Sequence, residues 1–320
     1  MKRLTRLSGP TGGFEFQDRD WHILIGLATW GYMSMPQIVR HAGDDREDWQ
    51  NSPVCVRVRK MWHRELVDRP PVQALQLAAL AYNGSVPLVY GLTRQGADLV
   101  IAKGFTVSHA DCTAANKRAV NLPHTLQTTG TMVEFHKACT TRGFHIAEQH
   151  ALLPYMPAET RELAQRRRKE GWKDPFRLRV TVRPGDVPNF SLKEATSFVV
   201  VPDRLFSIFI NANERHNFPL EIDRGKMRHK KFKEKLRAYY FSFLSGRHTE
   251  QWGFERYRVL IVTPSETRIG NMLDAQFWIT EGHASQMFLY TTPALLHEHG
   301  PLGPAWISSE ARGISLIENA

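Results

Sequence analysis

Cysteine is scarce in this chain. Cys55, Cys112 and Cys139 are the only three in 320 residues, and none stands at metal-ligand spacing from another. That excludes a disulfide scaffold and a thiolate zinc site, and it leads us to expect free thiols in a reducing cytoplasm. No apolar run approaches the roughly 20 residues that cross a bilayer. The basic start, Met1–Pro10, lacks the apolar stretch of a secretory signal. A Gly-x-x-x-x-Gly-Lys-Ser/Thr phosphate loop is absent, so neither ATPase nor helicase chemistry is supported. A His-Glu-x-x-His zinc signature is also missing, and no strand-turn elbow presents a serine nucleophile.

Positive charge, by contrast, is abundant. Lys and Arg number 42 against 32 Asp and Glu, a net charge of +10, and the pI is near 9.6. Such a balance favours a polyanionic partner, double-stranded DNA above all. The charge is also uneven. Eight cations lie between Arg224 and Arg237 (Arg224, Lys226, Arg228, Lys230, Lys231, Lys233, Lys235 and Arg237), against the single acid Glu234. Arg161 and Arg166 to Lys169 form a second cluster. Hydrophobic residues make up 42 %, enough for real cores, and the length suits two domains.

The first 103 residues read as three helices, two strands and a closing helix. Asp18–Trp30 carries an apolar face (Trp21, Leu24, Leu27, Ala28), with Asp18 or Asp20 as cap and Gly31 as stop. Ser34 and Pro36 open a second helix. The third, from Val54 to Leu66, turns Val54, Val58, Met61 and Leu66 inward and projects Arg57, Arg59, Lys60, His63 and Arg64. Strand-like runs from Val72 and from Val86 are joined through the turn Asn83-Gly84-Ser85. A last helix starts at Thr93. This is the order of a winged helix-turn-helix, and it resembles the winged-helix modules of bacterial plasmid proteins. The third helix would then enter the major groove, with Arg57, Lys60 and Arg64 on phosphates or guanine edges. The other reading is a dimerisation module whose basic face is merely solvated.

Residues 104–123 are polar and weakly periodic, a linker. From His124 the pattern is helix, several strands, helix, strand, helix, which predicts an α/β domain around a mixed sheet over 124–320. Ser197–Val201 and Leu205–Ile210 read as a hairpin about Pro202-Asp203, followed by a strand Phe218–Ile222, a helix Arg228–Phe243, a buried strand from Arg258, a helix Glu266–Gln276, and late strands at Phe277–Thr280 and Trp306. Alternation points Glu221 and Asp223 to one face. If the strands pair, Asp203 joins them. Crowded carboxylates repel one another unless a hard cation such as Mg²⁺ holds them.

Pro-Asp on one strand and Glu-x-Asp on the next resembles the restriction-endonuclease-like PD-(D/E)xK superfamily. Val201–Phe206, Leu220–Gly225 and Lys235-Leu-x-x-Tyr239-Tyr together are similar to the replication-relaxation family, which includes MobC-type plasmid relaxases. The resemblance implies a restriction-endonuclease-like core in which Asp203 and Glu221 ligate Mg²⁺ or Mn²⁺, and a nick left with a 3′-hydroxyl by direct attack of water. It implies a plasmid or mobile-element origin as the DNA target, with accessory mobilization proteins or a homodimer as further partners. The chain departs from the pattern at Asp223, where the superfamily has lysine. Asp223 then becomes a third metal ligand, and Lys235, with Lys231 second and Lys226 on the preceding turn, takes the cation's part. Glu134 is a candidate for the helical glutamate beside the metal. Arg59, Arg224, Lys226, Arg228, Lys230 and Lys233 are expected to hold DNA phosphates. The alternative is a core that binds DNA without cutting it, as a replication initiator or regulator. Tyr239-Tyr240 is read as helix packing, and Trp252 as a candidate to stack on a base.

Overall fold

The computed structural model describes residues 14–77, 87–105, 121–169, 176–186, 193–225, 229–282 and 286–317. They fall into two units, 1–133 and 134–320. The division lies within the helix Leu122–Thr141, which contains the expected start of the second domain.

In the first unit, local chemistry sets the helix ends. Gln17 caps Asp18–Trp30, and its N–H donates to Asp20 Oδ2 at 2.9 Å. Asp20 therefore closes the capping box from the third helical position and is not itself the cap. Gly31, at φ +81°, ends the helix. Ser34 caps Met35–His41, and Ser52 caps Pro53–His63, each with proline in the first turn. Three short strands, β1 (Met33–Ser34), β2 (Val67–Asp68) and β3 (Val89–Leu92), make an antiparallel sheet in the order β1-β3-β2.

The run from Val72 is not a strand: Gln73–Leu77 is a short helix. Its Gln, Ala and Leu residues are good helix formers, and that preference prevails over a weak alternation. The strand antiparallel to β3 on that side is β2. The turn Asn83–Ser85 and Cys112 lie outside the described residues. The segment Tyr90-Gly-Leu-Thr-x-x-Gly96 has a steric basis. A Cβ on Gly91 would meet the Tyr32 ring at 2.8 Å, and one on Gly96 would meet the Leu66 carbonyl oxygen at 2.1 Å. Between them, Thr93 caps the helix Arg94–Ala102 through the Gly96 N–H at 3.1 Å.

The second unit is built on a seven-stranded mixed sheet, β12-β11-β10-β9-β8-β7-β4. Its strands are β4 (His145–Glu148), β7 (Arg204–Phe209), β8 (Arg215–Ile222), β9 (Val259–Val262), β10 (Phe288–Thr291), β11 (Trp306–Ile307) and β12 (Arg312–Ile314). The pairs β8–β9 and β9–β10 are parallel. Helices His229–Leu244 and Glu266–Ile279 make the two crossovers and share one core with that face of the sheet, where Leu205, Phe232, Leu236, Tyr239, Ile261 and Ile269 meet. On the opposite face Phe135, from the end of Leu122–Thr141, packs on Phe206 with ring centroids 4.9 Å apart.

Two expectations are corrected. The strands flanking Pro202-Asp203 do not form a hairpin. β6 (Thr196–Val200) pairs with β5 (Leu178–Val182) in a separate two-stranded sheet, while β7 pairs with β8 and β4. Alternation fixes which way side chains face but does not choose the partner strand. Phe277–Thr280 is not a strand either. It finishes the helix Glu266–Ile279, which leaves Phe277 and Trp278 exposed. The strand in that region is β10.

Candidate active site

The acids of interest gather where β8 leaves the sheet. Pro219 lies just ahead of the parallel ladder with β9, which begins at Leu220↔Leu260, and having no N–H it cannot extend that ladder backward. β7 begins only at Arg204, so the backbone of Ile222 has no partner residue within that strand. Asp203 supplies one. Its N–H donates to Leu220 O at 3.0 Å, and its Oδ2 accepts from the Ile222 N–H at 2.7 Å. Pro-Asp and Glu-Ile-Asp are thus tied together by main-chain hydrogen bonds.

Glu221 points from β8 toward the helix His229–Leu244. Its Oε2 pairs with Lys235 Nζ, and its Oε1 accepts from Tyr239 Oη at 2.7 Å. Lys235 and Tyr239 are four apart and so share one helix face. Burial pushes the Glu221 carboxyl up to about 7. Lys235 opposes this rise, and the charge of Asp203 adds to it. Burial pulls Lys235 down, but the charges of Glu221 and Asp203 outweigh it and hold the ammonium above the usual lysine range. Burial, and then the charge of Glu221, drives the Tyr239 hydroxyl far up, so Tyr239 is a hydrogen-bond donor here and not a ready nucleophile.

Asp223 shares the face of Glu221 but is differently engaged. Its N–H donates to Val262 O at 2.9 Å. Its Oδ2 accepts from Thr263 Oγ1 at 3.0 Å and from Arg268 Nε at 2.9 Å, with Arg268 Nη2 3.4 Å from Oδ1. It locks β8, β9 and the start of Glu266–Ile279 together. Among the described residues, no group of three or more His, Cys, Asp or Glu side chains is arranged to hold a metal ion. The expected three-carboxylate set is therefore not assembled. The donors that could take a divalent ion are Asp203 and Glu221.

The remaining residues disperse. Lys231 is exposed one turn before Lys235, Lys230 is exposed, and Lys233 and Arg224 are half-buried. Lys226 and Arg228 lie outside the described residues. Glu134 belongs to the helix that covers the other face of the sheet and does not join the cluster. Trp252 is 1 % exposed and donates to Phe176 O, so no base can stack on it. Arg268 and Tyr239 were missed as partners of the acids. Arg268 lies 45 residues from Asp223, and nothing local marks it. Tyr239 could have been found from its four-residue spacing to Lys235.

In the first unit, Arg59 and Lys60 are exposed on the helix Pro53–His63. Arg57 is not free to project. Its Nε donates to Asp20 Oδ1 at 3.0 Å, Nη2 pairs with Asp20 Oδ2, and the guanidinium lies 4.3 Å from the Phe14 ring centroid. Arg64 lies over the same ring at 5.1 Å.

A sequence model of the replication-relaxation family matches residues 25–255, more than half of the chain and including Asp203, Glu221, Asp223 and Lys235. The chain belongs to the replication-relaxation family. No curated protein and no solved structure matches it. Membership in the replication-relaxation family points to a role in replication or mobilization. It draws both units into one functional context, because the matched span begins in the first helix and ends beyond Tyr239. No helix among the described residues is long and apolar enough to cross a membrane.

Proposed function

We propose that this replication-relaxation protein binds double-stranded DNA at a plasmid or mobile-element origin and nicks it by metal-dependent hydrolysis. The observation that carries the reading is the Glu221–Lys235 pair, buried beside Asp203 where β8 ends. Two carboxylates at the end of adjoining strands suit Mg²⁺ or Mn²⁺, ions commonly held by one or two carboxylates with water and phosphate completing the shell. Such an ion, when bound, lowers the pKa of a water and offsets charge on the phosphoryl group. The protein's own parts are then distinct. Asp203 is held in place by the Ile222 N–H, Tyr239 orients Glu221, and Lys235 presents a cation beside the carboxylates. On this reading the site is a PD-(D/E)xK centre whose lysine is supplied from the following helix. Asp223 is left out of it.

The first unit supports DNA binding. Its order of helix, strand, two helices and strand, then the short helix Gln73–Leu77 ahead of the last strand, with sheet order β1-β3-β2, fits a winged helix-turn-helix whose two wing strands are joined through a helical turn. Arg59 and Lys60 stand on its third helix, where groove or phosphate contacts are made.

The test is nicking of supercoiled origin DNA with Mg²⁺. Asp203→Asn, Glu221→Gln and Lys235→Ala should each lose about 100-fold or more in rate, the scale of removing one preorganised charge-stabilising group, with DNA binding retained. A second reading is favoured by one observation: both oxygens of Glu221 and both of Asp223 already meet protein donors. On that reading the core binds origin DNA without cutting it. Tight, specific binding with no cleavage in Mg²⁺ or Mn²⁺ would decide for it.

A further inference from the structure

A cavity in the second unit lies away from the acids. It encloses about 660 Å³ between the first half of β8, the end of the helix His229–Leu244 and the segment 256–258. That is the size of a site for a small organic ligand. Arg215, Arg256 and Arg258 line it, and no carboxylate does. Apolar surface comes from Tyr240, Phe243, Leu244 and Met287, with Phe243 41 % and Leu244 48 % exposed at the rim.

The arginines are not equivalent. Arg215 Nη2 donates to Gly253 O at 3.1 Å, and Arg258 Nη2 donates to Leu316 O at 2.7 Å. Both are braced against the wall. The Arg256 side chain is exposed and has no hydrogen-bond or ion-pair partner among the described residues. Its backbone is nonetheless fixed: Arg256 O accepts from Asn217 Nδ2 at 2.9 Å, and Asn217 Oδ1 accepts from Ser207 Oγ at 2.8 Å. A guanidinium without a partner on an anchored backbone, beside an exposed aromatic ring and with no carboxylate in the cavity lining, suits a ligand that is anionic at one end and flat and apolar at the other.

We infer that this cavity binds a nucleotide unit, its base against Phe243 and Tyr240 and its phosphate on Arg256. Two sources share that chemistry, a free nucleoside monophosphate and one nucleotide of a single DNA strand. The inference is independent of whether the acids cut DNA, since it concerns binding alone.

The experiment uses the full chain with two probes, a fluorescein-labelled thymidylate 12-mer followed by anisotropy and thymidine 5′-monophosphate followed by calorimetry, both without divalent metal. Arg256→Ala and Phe243→Ala are exposed substitutions, and circular dichroism checks that each variant is folded. If the source is a strand, each variant weakens 12-mer binding about tenfold, and Arg256→Ala also lowers the slope of log K against log salt by about 0.7, one phosphate's share on single strands. If the source is a free nucleotide, monophosphate binding saturates in the parent and is lost in both variants while 12-mer binding is unchanged. Less than a twofold change for both probes in both folded variants overturns the inference.

Discussion

Two basic helices, Pro53–His63 in the first unit and His229–Leu244 in the second, solve one problem with opposite results. Each turns one cation inward onto a buried acid and carries exposed cations besides, Arg59 and Lys60 on the first and Lys230 and Lys231 on the second. In the first, Arg57 clasps both oxygens of Asp20, which is 0 % exposed, and the arginine fork matches the carboxylate with two hydrogen bonds. In the second, Lys235 reaches only one oxygen of Glu221, Tyr239 takes the other, and Asp203 crowds the pair. The first arrangement is a fastening. The second is a carboxyl raised toward neutrality beside a lysine that keeps its charge, a pair with chemistry to spare. Charge density along a helix therefore does not tell which cation is open to a partner and which one supports the fold.

The comparison breaks most readily at Arg57. Arg57→Ala leaves a wholly buried Asp20 without its cation and should cost about 3–5 kcal/mol of stability, measured by denaturant unfolding. Adding Asp20→Asn should recover part of the loss. If Arg57→Ala instead left stability intact and abolished DNA binding, Arg57 would be a DNA contact and not a fastening.

A smaller effect sharpens the second helix. The Glu221 carboxyl titrates near 7 in the folded chain, above its ordinary value of about 4.5. The folded state thus holds that proton more tightly than the unfolded state does. The stability this gives is complete below about pH 4.5 and is lost as pH rises through about 7. Glu221→Gln removes the dependence, so the variant should gain on the parent between pH 4.5 and 7 in melts run across that window. A constant gap between the two would contradict the raised carboxyl.

Smallest of all, Lys60→Ala should weaken origin binding only severalfold, equally across DNA sequences, and lower the salt slope by about 0.9 for one duplex phosphate. An effect confined to one base pair would make Lys60 a reader of sequence.

Much of this was legible beforehand, and the reasons differ by residue. Helix ends could be read at Ser34, Thr93 and Gly31 because caps act over three or four residues. Glu221 and Asp223 could be placed on one face because a strand alternates strictly. Lys235 could be set near the sheet because it sits between Phe232 and Leu236 on the apolar stripe. What escaped depends on distant residues. The partnership of β6 with β5, the hold of Arg268 on Asp223 and the burial of Arg57 each join segments that share no local signal. Phe277-Trp-Ile-Thr misled for another reason: an apolar aromatic run suits a strand equally well, and only the helix already under way through Gln276 decided against it.

The hydrogen bond from Ile222 to the Asp203 carboxylate has a consequence for how such a centre tolerates change. One of its two acids takes its position from the peptide backbone, whose spacing is the same whatever side chains surround it. Neighbouring cores can be rebuilt residue by residue while that acid stays aligned with the next strand. Its fellow, Glu221, is oriented by two side chains of a separate helix and enjoys no such insulation. Drift within this pair should therefore reach the glutamate's surroundings first.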